Sequence, residues 1–154
     1  MHKHKVKDIM TKNVFVLYAN ETLDIVRSLM EIKHVRHVPI VDTKGRFVGL
    51  ITHRDLLSMT VSRLAGIDEN VQDDLDRHIP ISKVMQKKII TTDPELDVSK
   101  AIAILLKNQV GCLPVVSKKK LVGIVTEADL LAFTYNLLKK REKVLLPANS
   151  KKRF

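Results

Sequence analysis

Tryptophan is absent from the 154 residues, and four phenylalanines and two tyrosines are the only aromatic side chains apart from histidine. So few rings cannot form a ladder on which successive bases of a single strand would stack. A single cysteine, Cys112, cannot close an internal disulfide, and a free thiol suits a reducing compartment. The longest local apolar run, Ala101 to Leu106, is closed by Lys107, far short of the ~18–20 residues that a membrane helix needs. The basic start Met1-His2-Lys3-His4-Lys5 is followed by Asp8, Lys12 and Asn13 where a signal peptide would be apolar. The chain is therefore expected in the cytoplasm. No pair of carboxylates, no nucleophile beside a base and no glycine-rich phosphate cradle stands in the sequence, so no enzymatic activity is expected.

What is present first is positive charge, a formal net +10. It is unevenly spread: residues 139–154 carry seven lysines and arginines against Glu142, and residues 1–12 carry four lysines against Asp8. The other 126 residues hold sixteen basic and fifteen acidic side chains, so the body is close to neutral and the charge sits at the ends. A basic tail of this kind does not make a DNA-binding fold, and residues beyond Leu146 have too little apolar surface to offset their ordering entropy. With 45% hydrophobic residues, the chain is long enough for one good core or two small ones packed together.

The dominant feature is an internal repeat. At an offset of 75, Met10 falls on Met85, Val14-Phe15 on Ile89-Ile90, Val35 on Val110, and Pro39-Ile40-Val41 on Pro114-Val115-Val116. At an offset of 74, Val48 to Leu57 falls on Val122 to Leu131. The slip lies between Asp42-Thr43-Lys44-Gly45 and Ser117-Lys118-Lys119-Lys120, where a turn absorbs it. Two copies predict a pseudo-twofold pair rather than a solenoid.

Each copy reads as βαββα: a β-rich run (Val14 to Leu17; Ile89 to Thr92), a helix, two apolar strands around a polar turn, and a second helix. The first helices follow Thr22 and Asp97, good N-caps, and place Leu23, Val26 and Met30, or Val98, Ala101 and Leu105, on one face. The strands Val38 to Val41 and Leu113 to Val116 are apolar throughout, as where helices cover a sheet. Residues 6–60 and 81–135 are read as two domains, 61–80 as an acidic linker that extends a helix and is otherwise exposed, and 136–154 as a basic tail.

Thr52-x-x-Asp55 and Thr126-x-x-Asp129 each open a helix directly after a strand. One reading is a capping box, with threonine as N-cap and an acid in the first turn. The other uses the same geometry for binding: a fixed aspartate offers acceptors to the paired hydroxyls of a ribose, and free helix N–H groups favour a phosphate nearby.

The pattern of methionine, strand, helix, h-x-P-V-V, turn and G-h-h-T-x-x-D-L-L resembles the CBS domain, named after cystathionine β-synthase, and it occurs twice. The wording Arg36-His37-Val38-Pro39 and Gly111-Cys112-Leu113-Pro114 is similar to free-standing bacterial pairs related to acetoin-utilisation proteins. The resemblance implies an α/β (α+β) fold, two βαββα repeats packed with pseudo-twofold symmetry into a disc-like module with two clefts, and a homodimer. It implies an adenine-nucleotide or other adenosyl ligand, AMP, ADP or ATP, with S-adenosylmethionine or NAD as further options, no required cofactor, and signalling to an effector protein.

By the same resemblance Asp55 and Asp129 hold the ribose, and Thr52 and Thr126 lie near ribose and phosphate. Val14, Val16, Val38, Pro39, Ile89, Thr91, Cys112, Leu113 and Pro114 would enclose the adenine, although core strand is the preferred reading of Val38, Ile40, Leu113 and Val115. Phosphate is often met by basic residues of the other repeat. Here Arg36, His37, His53 and Arg54 face Gly111, Cys112, Glu127 and Ala128 at matching positions, which makes Asp129's cleft the expected better site.

Cys112, between neutral neighbours, reads as a packing residue rather than a nucleophile. His2 and His4 alone make a poor metal site, and His34 and His78 read as solvated. A ligand-free structural dimerisation module and a tail-mediated nucleic-acid regulator are the alternatives to the sensor.

Overall fold

The computed structural model describes residues 4–59 and 69–145. In chain order the elements are α1 (Val6–Ile9), β1 (Leu17–Tyr18), α2 (Leu23–Lys33), β2 (His37–Val41), β3 (Phe47–Thr52), α3 (His53–Met59) and α4 (Glu69–Asp76). A 3-10 turn (Ile81–Lys83), α5 (Val98–Asn108), β4 (Cys112–Ser117), β5 (Lys120–Thr126) and α6 (Glu127–Leu145) follow.

The helices α2 and α5 form where the apolar spacing places them, with Leu23, Val26 and Met30, and Val98, Ala101 and Leu105, buried. Both end on a left-handed residue, His34 (φ 52°) and Gln109 (φ 53°). Thr22 and Asp97 occupy the N-cap positions, but neither side chain accepts from a backbone N–H of its helix. The Thr22 hydroxyl donates to Asp24 instead, and Asp97 accepts from Lys5 Nζ at 2.7 Å.

One sheet runs β1-β2-β3, with β1 parallel to β2 and β2 antiparallel to β3; the other is the β4–β5 hairpin. The expected first strands are shorter than their β-rich sequence suggested. Only Leu17 and Tyr18 pair in the first repeat, and Thr92 makes a single parallel bridge to Val115 in the second. Val14 to Val16 and Ile89 to Thr91 are unpaired because they are crossing from one repeat to the other.

That crossing is the organising feature of the fold. Val6, at the start of the first domain and before its first strand, is buried in the second domain's core with Ala101, Leu105, Leu113, Val115 and Val125. Ile81, at the start of the second, is buried in the first domain's core with Leu23, Val26, Met30, Val38, Ile40, Ile51 and Leu56. Thr11 exchanges backbone hydrogen bonds with Ile124 (2.9 and 3.0 Å), and Gln86 does so with Leu50 (2.8 and 3.0 Å). A third cluster, Leu50, Cys112 and Ile124 with Val14, Phe47 and Ile89 against it, joins the halves. Each half thus completes the other's core, and the two repeats form one unit related by a pseudo-twofold.

The slip in repeat register is visible at the hairpin tips. Five residues separate Val41 from its partner Phe47, and four separate Val116 from Leu121. The longer turn uses Gly45 at φ +73°, and the shorter one holds Lys118 and Lys119 at φ 48° and 67°, the signs that a two-residue hairpin loop demands.

The acidic stretch before the second repeat is less exposed than expected. Asp76 is wholly buried, accepting from Arg27 Nε at 2.6 Å and from Gln72 Nε2 at 2.8 Å, so α4 is pinned to α2. Residues 60–68 lie outside the described residues. The segment from 136, read as a tail, is helical to Leu145 as the continuation of α6; the expected disorder beyond Leu146 falls outside the described residues. Among the described residues no helix is long and apolar enough to cross a membrane.

Candidate functional site

Both T-x-x-D motifs form capping boxes of the same geometry. Asp55 Oδ2 accepts from the Thr52 backbone N–H (2.7 Å) and hydroxyl (2.8 Å), and Asp129 Oδ2 accepts from the same groups of Thr126 (2.8 and 2.8 Å). The structural role takes one carboxylate oxygen and leaves the other. Asp55 Oδ1 accepts from Gln86 Nε2 at 2.8 Å, and Asp129 Oδ1 accepts from Thr11 Oγ1 at 3.0 Å. Each outward oxygen therefore meets a neutral donor on the crossing strand, at a part-exposed position where a ligand hydroxyl could replace it.

A cavity of about 670 Å³ opens between the repeats. Arg36, His37, Thr52, His53 and Arg54 come to it from the first repeat, Gln86, Lys88, Ile89 and Ile90 from the crossing segment, and Gly111, Cys112 and Glu127 from the second repeat. All four predicted basic residues are thus brought together. Thr126 and Asp129 are not among the lining residues; the wall includes Gln86, which bonds Asp55.

The predicted adenine wall divides. Ile89 and Cys112 line the cavity, and Val14 packs beside them on the inter-repeat cluster. Val38 and Leu113 have no exposed surface and belong to the two cores, with Pro39 and Pro114 buried next to them. Val16 is half-buried, and Thr91 lines a second groove of about 390 Å³ at the hairpin tips, with Arg46, Phe47 and Lys119.

Burial pushes the Cys112 thiol up to about 12, with the Glu127 carboxylate adding to the effect, so the sulfur stays protonated and unreactive. His37 is shifted the other way: burial lowers its pKa, Glu127 pulls it up, Arg36 lowers it further, and Asp55 pulls it up. His4 stands edge-on to Phe133, with ring centroids 4.9 Å apart; His2 lies outside the described residues. His34 and His78 are exposed.

Sequence reasoning missed Leu50, Leu57, Gln86, Lys88, Gln109 and Val110 as lining residues. Gln86 is the repeat partner of Thr11, and both touch the outward oxygen of an aspartate, but that match has meaning only once the crossing of the segments is known.

The protein-family signature described as CBS domain matches residues 6–61 and 81–135. A CBS domain-containing protein of Dictyostelium discoideum is 33% identical over 136 residues, 86% of this chain and 92% of that protein. An acetoin utilization protein (AcuB) from Vibrio cholerae superposes with a TM-score of 0.77 at 32% identity, covering 92% of this chain and 98% of that one. A CBS domain pair solved in complex with 5′-methylthioadenosine and S-adenosyl-L-methionine superposes with a TM-score of 0.72 at 26% identity, over 88% and 99% of the two chains. With both matches falling on the two halves that complete each other's cores, the chain belongs to the CBS domain family and carries two copies of the domain.

Proposed function

We propose that this chain is a regulatory module that binds an adenine nucleotide or related adenosyl ligand, catalyses no reaction, and passes its bound state to a protein partner in the cytoplasm. The observation that carries the reading is the inter-repeat cavity, in which Arg36, His37, His53 and Arg54 converge beside the apolar Ile89 and Leu50. Its size is in the range of small-ligand sites, which are mostly apolar with a few placed polar groups. Guanidinium groups suit a phosphate, and a capped aspartate suits a ribose. The adenosyl compounds bound by a related CBS domain pair support the same ligand class.

The test is thermal denaturation with AMP, ADP, ATP, NAD and S-adenosylmethionine. A ligand at 100 times its Kd stabilises the fold by about 2.7 kcal/mol. No shift with any of them would leave a structural dimerisation module.

Asp129 is proposed as the principal ribose acceptor, with its phosphate reaching the first repeat's cations. A second reading, favoured by the Gln86 contact in the cavity wall, puts the ribose on Asp55. Calorimetry with AMP separates them. Asp129→Ala is expected to cost about 1.5–3 kcal/mol, roughly ten- to a hundredfold in Kd, and Asp55→Ala much less. A larger loss for Asp55→Ala would reassign the cleft.

A further inference from the structure

The charge lining the cavity is of both signs. Arg36 beside β2, His53 and Arg54 on α3, and Lys88 on the crossing segment share the wall with one acid, Glu127 at the start of α6. A Cβ added to Gly111 would lie 3.3 Å from His37 Nε2 and 3.7 Å from Glu127 Oε2. The bare glycine therefore lets the His37 imidazole and the Glu127 carboxylate both close in on it, and a ligand group in the cavity that both line meets both.

We propose that His37 and Glu127 select among adenosyl ligands by charge: neutral His37 beside ionised Glu127 favours a ligand whose 5′ substituent is cationic, such as a sulfonium, and protonated His37 favours a 5′-phosphate. The inference rests on the adenosyl-sensor reading and specifies how that site discriminates.

The groups facing His37 set its direction. Burial and Arg36 hold the imidazole below its ordinary pKa, against the pull of Glu127 and Asp55. Cys112, also in the wall, stays a neutral thiol. Burial and Arg36 thus keep His37 neutral near pH 7, and the Glu127 carboxylate then has no imidazolium opposite it. A phosphate brought beside Nε2 favours the charged ring and raises its pKa, so binding takes up a proton. Phosphate affinity then rises as pH falls through the bound-state pKa, and levels off below the free-state pKa. A sulfonium ligand shows the reverse trend.

Calorimetry of the intact chain with AMP, S-adenosylmethionine and adenosine, at pH 6 and pH 8 and in two buffers of different ionisation enthalpy, tests this. AMP is expected to bind several-fold more tightly at pH 6 than at pH 8, since a linked shift of about one pKa unit reaches its full tenfold only below the free-state pKa. Proton uptake should fall in His37→Gln to what the AMP phosphate contributes by itself, and adenosine should show no pH trend. Glu127→Gln should strengthen AMP binding at pH 8 and weaken S-adenosylmethionine several-fold. Equal proton uptake by the wild-type chain and His37→Gln, or an AMP to S-adenosylmethionine preference untouched by Glu127→Gln, overturns the selection. Absence of binding by all three ligands overturns the sensor reading itself, and the selection with it.

Discussion

At the scale of single residues, two glycines decide how closely the repeats approach. A Cβ on Gly123 would sit 2.7 Å from Met10 Sδ and 2.9 Å from the Thr11 carbonyl oxygen; on Gly49 it would sit 2.7 Å from Met85 Sδ and 3.0 Å from the Gln86 carbonyl oxygen. The methionine that opens each repeat motif and the glycine of the last strand are therefore partners across the module, ~113 and ~36 residues apart in the chain as the register of the exchange requires. The sulfur could shift, but the carbonyl belongs to a backbone already paired with the strand. Gly123→Ala should lower stability by about 1–3 kcal/mol, the usual cost of forcing an extra carbon into a filled space, read as a fall in the urea midpoint at unchanged slope. A midpoint equal to that of the wild-type chain would mean that the crossing segment yields freely.

At the scale of elements, Asp76 shows where a sequence reading loses sight of tertiary structure. An acidic stretch between two repeats looks like solvated linker, yet one of its carboxylates is the buried partner of Arg27 on α2, with side-chain exposures of 1% and 26%. Asp76→Ala takes the closest counter-charge from a half-buried guanidinium and should cost about 3 kcal/mol, measured by chemical denaturation. A loss under about 0.5 kcal/mol, as for a surface pair, would show that α4 is held by something else.

The helices α2 and α5, the four long strands and both capping boxes were legible, because their periodicity and caps are local. The crossing was not, since Val6 and Ile81 sit in elements of one turn, too short to show a period, and their burial depends on the opposite repeat. The length of α6 was hidden for another reason. Its lysines and arginines read as a tail by charge, although both are good helix formers and the helix runs to Leu145.

At the scale of the whole molecule, the question is what covers the apolar surface left outside. The adjacent leucines that open α3 and α6 point to different sides, as expected for a helix: Leu56 is 1% exposed and Leu57 57%, and Leu130 packs on the second core while Leu131 is 71% exposed. Phe133, on the same helix, is partly covered by His4 within the chain. Further along α6, Tyr135 and Leu138 are 62% and 55% exposed. Leu131, Tyr135 and Leu138 lie at i, i+4 and i+7, so they form one stripe on a single helix face. A continuous apolar stripe on a helix calls for a partner surface, and the simplest is the same stripe on a second copy, which closes as a twofold dimer rather than growing into a filament. The homodimer is therefore expected to bury α6 against α6, with Leu57 of α3 at its margin. Sedimentation should give a dimer at tens of micromolar, and Leu131→Lys combined with Tyr135→Lys should give a folded monomer of unchanged helix content. A wild-type chain that sediments as a monomer at that concentration would rule out this dimer and leave the stripe for another protein.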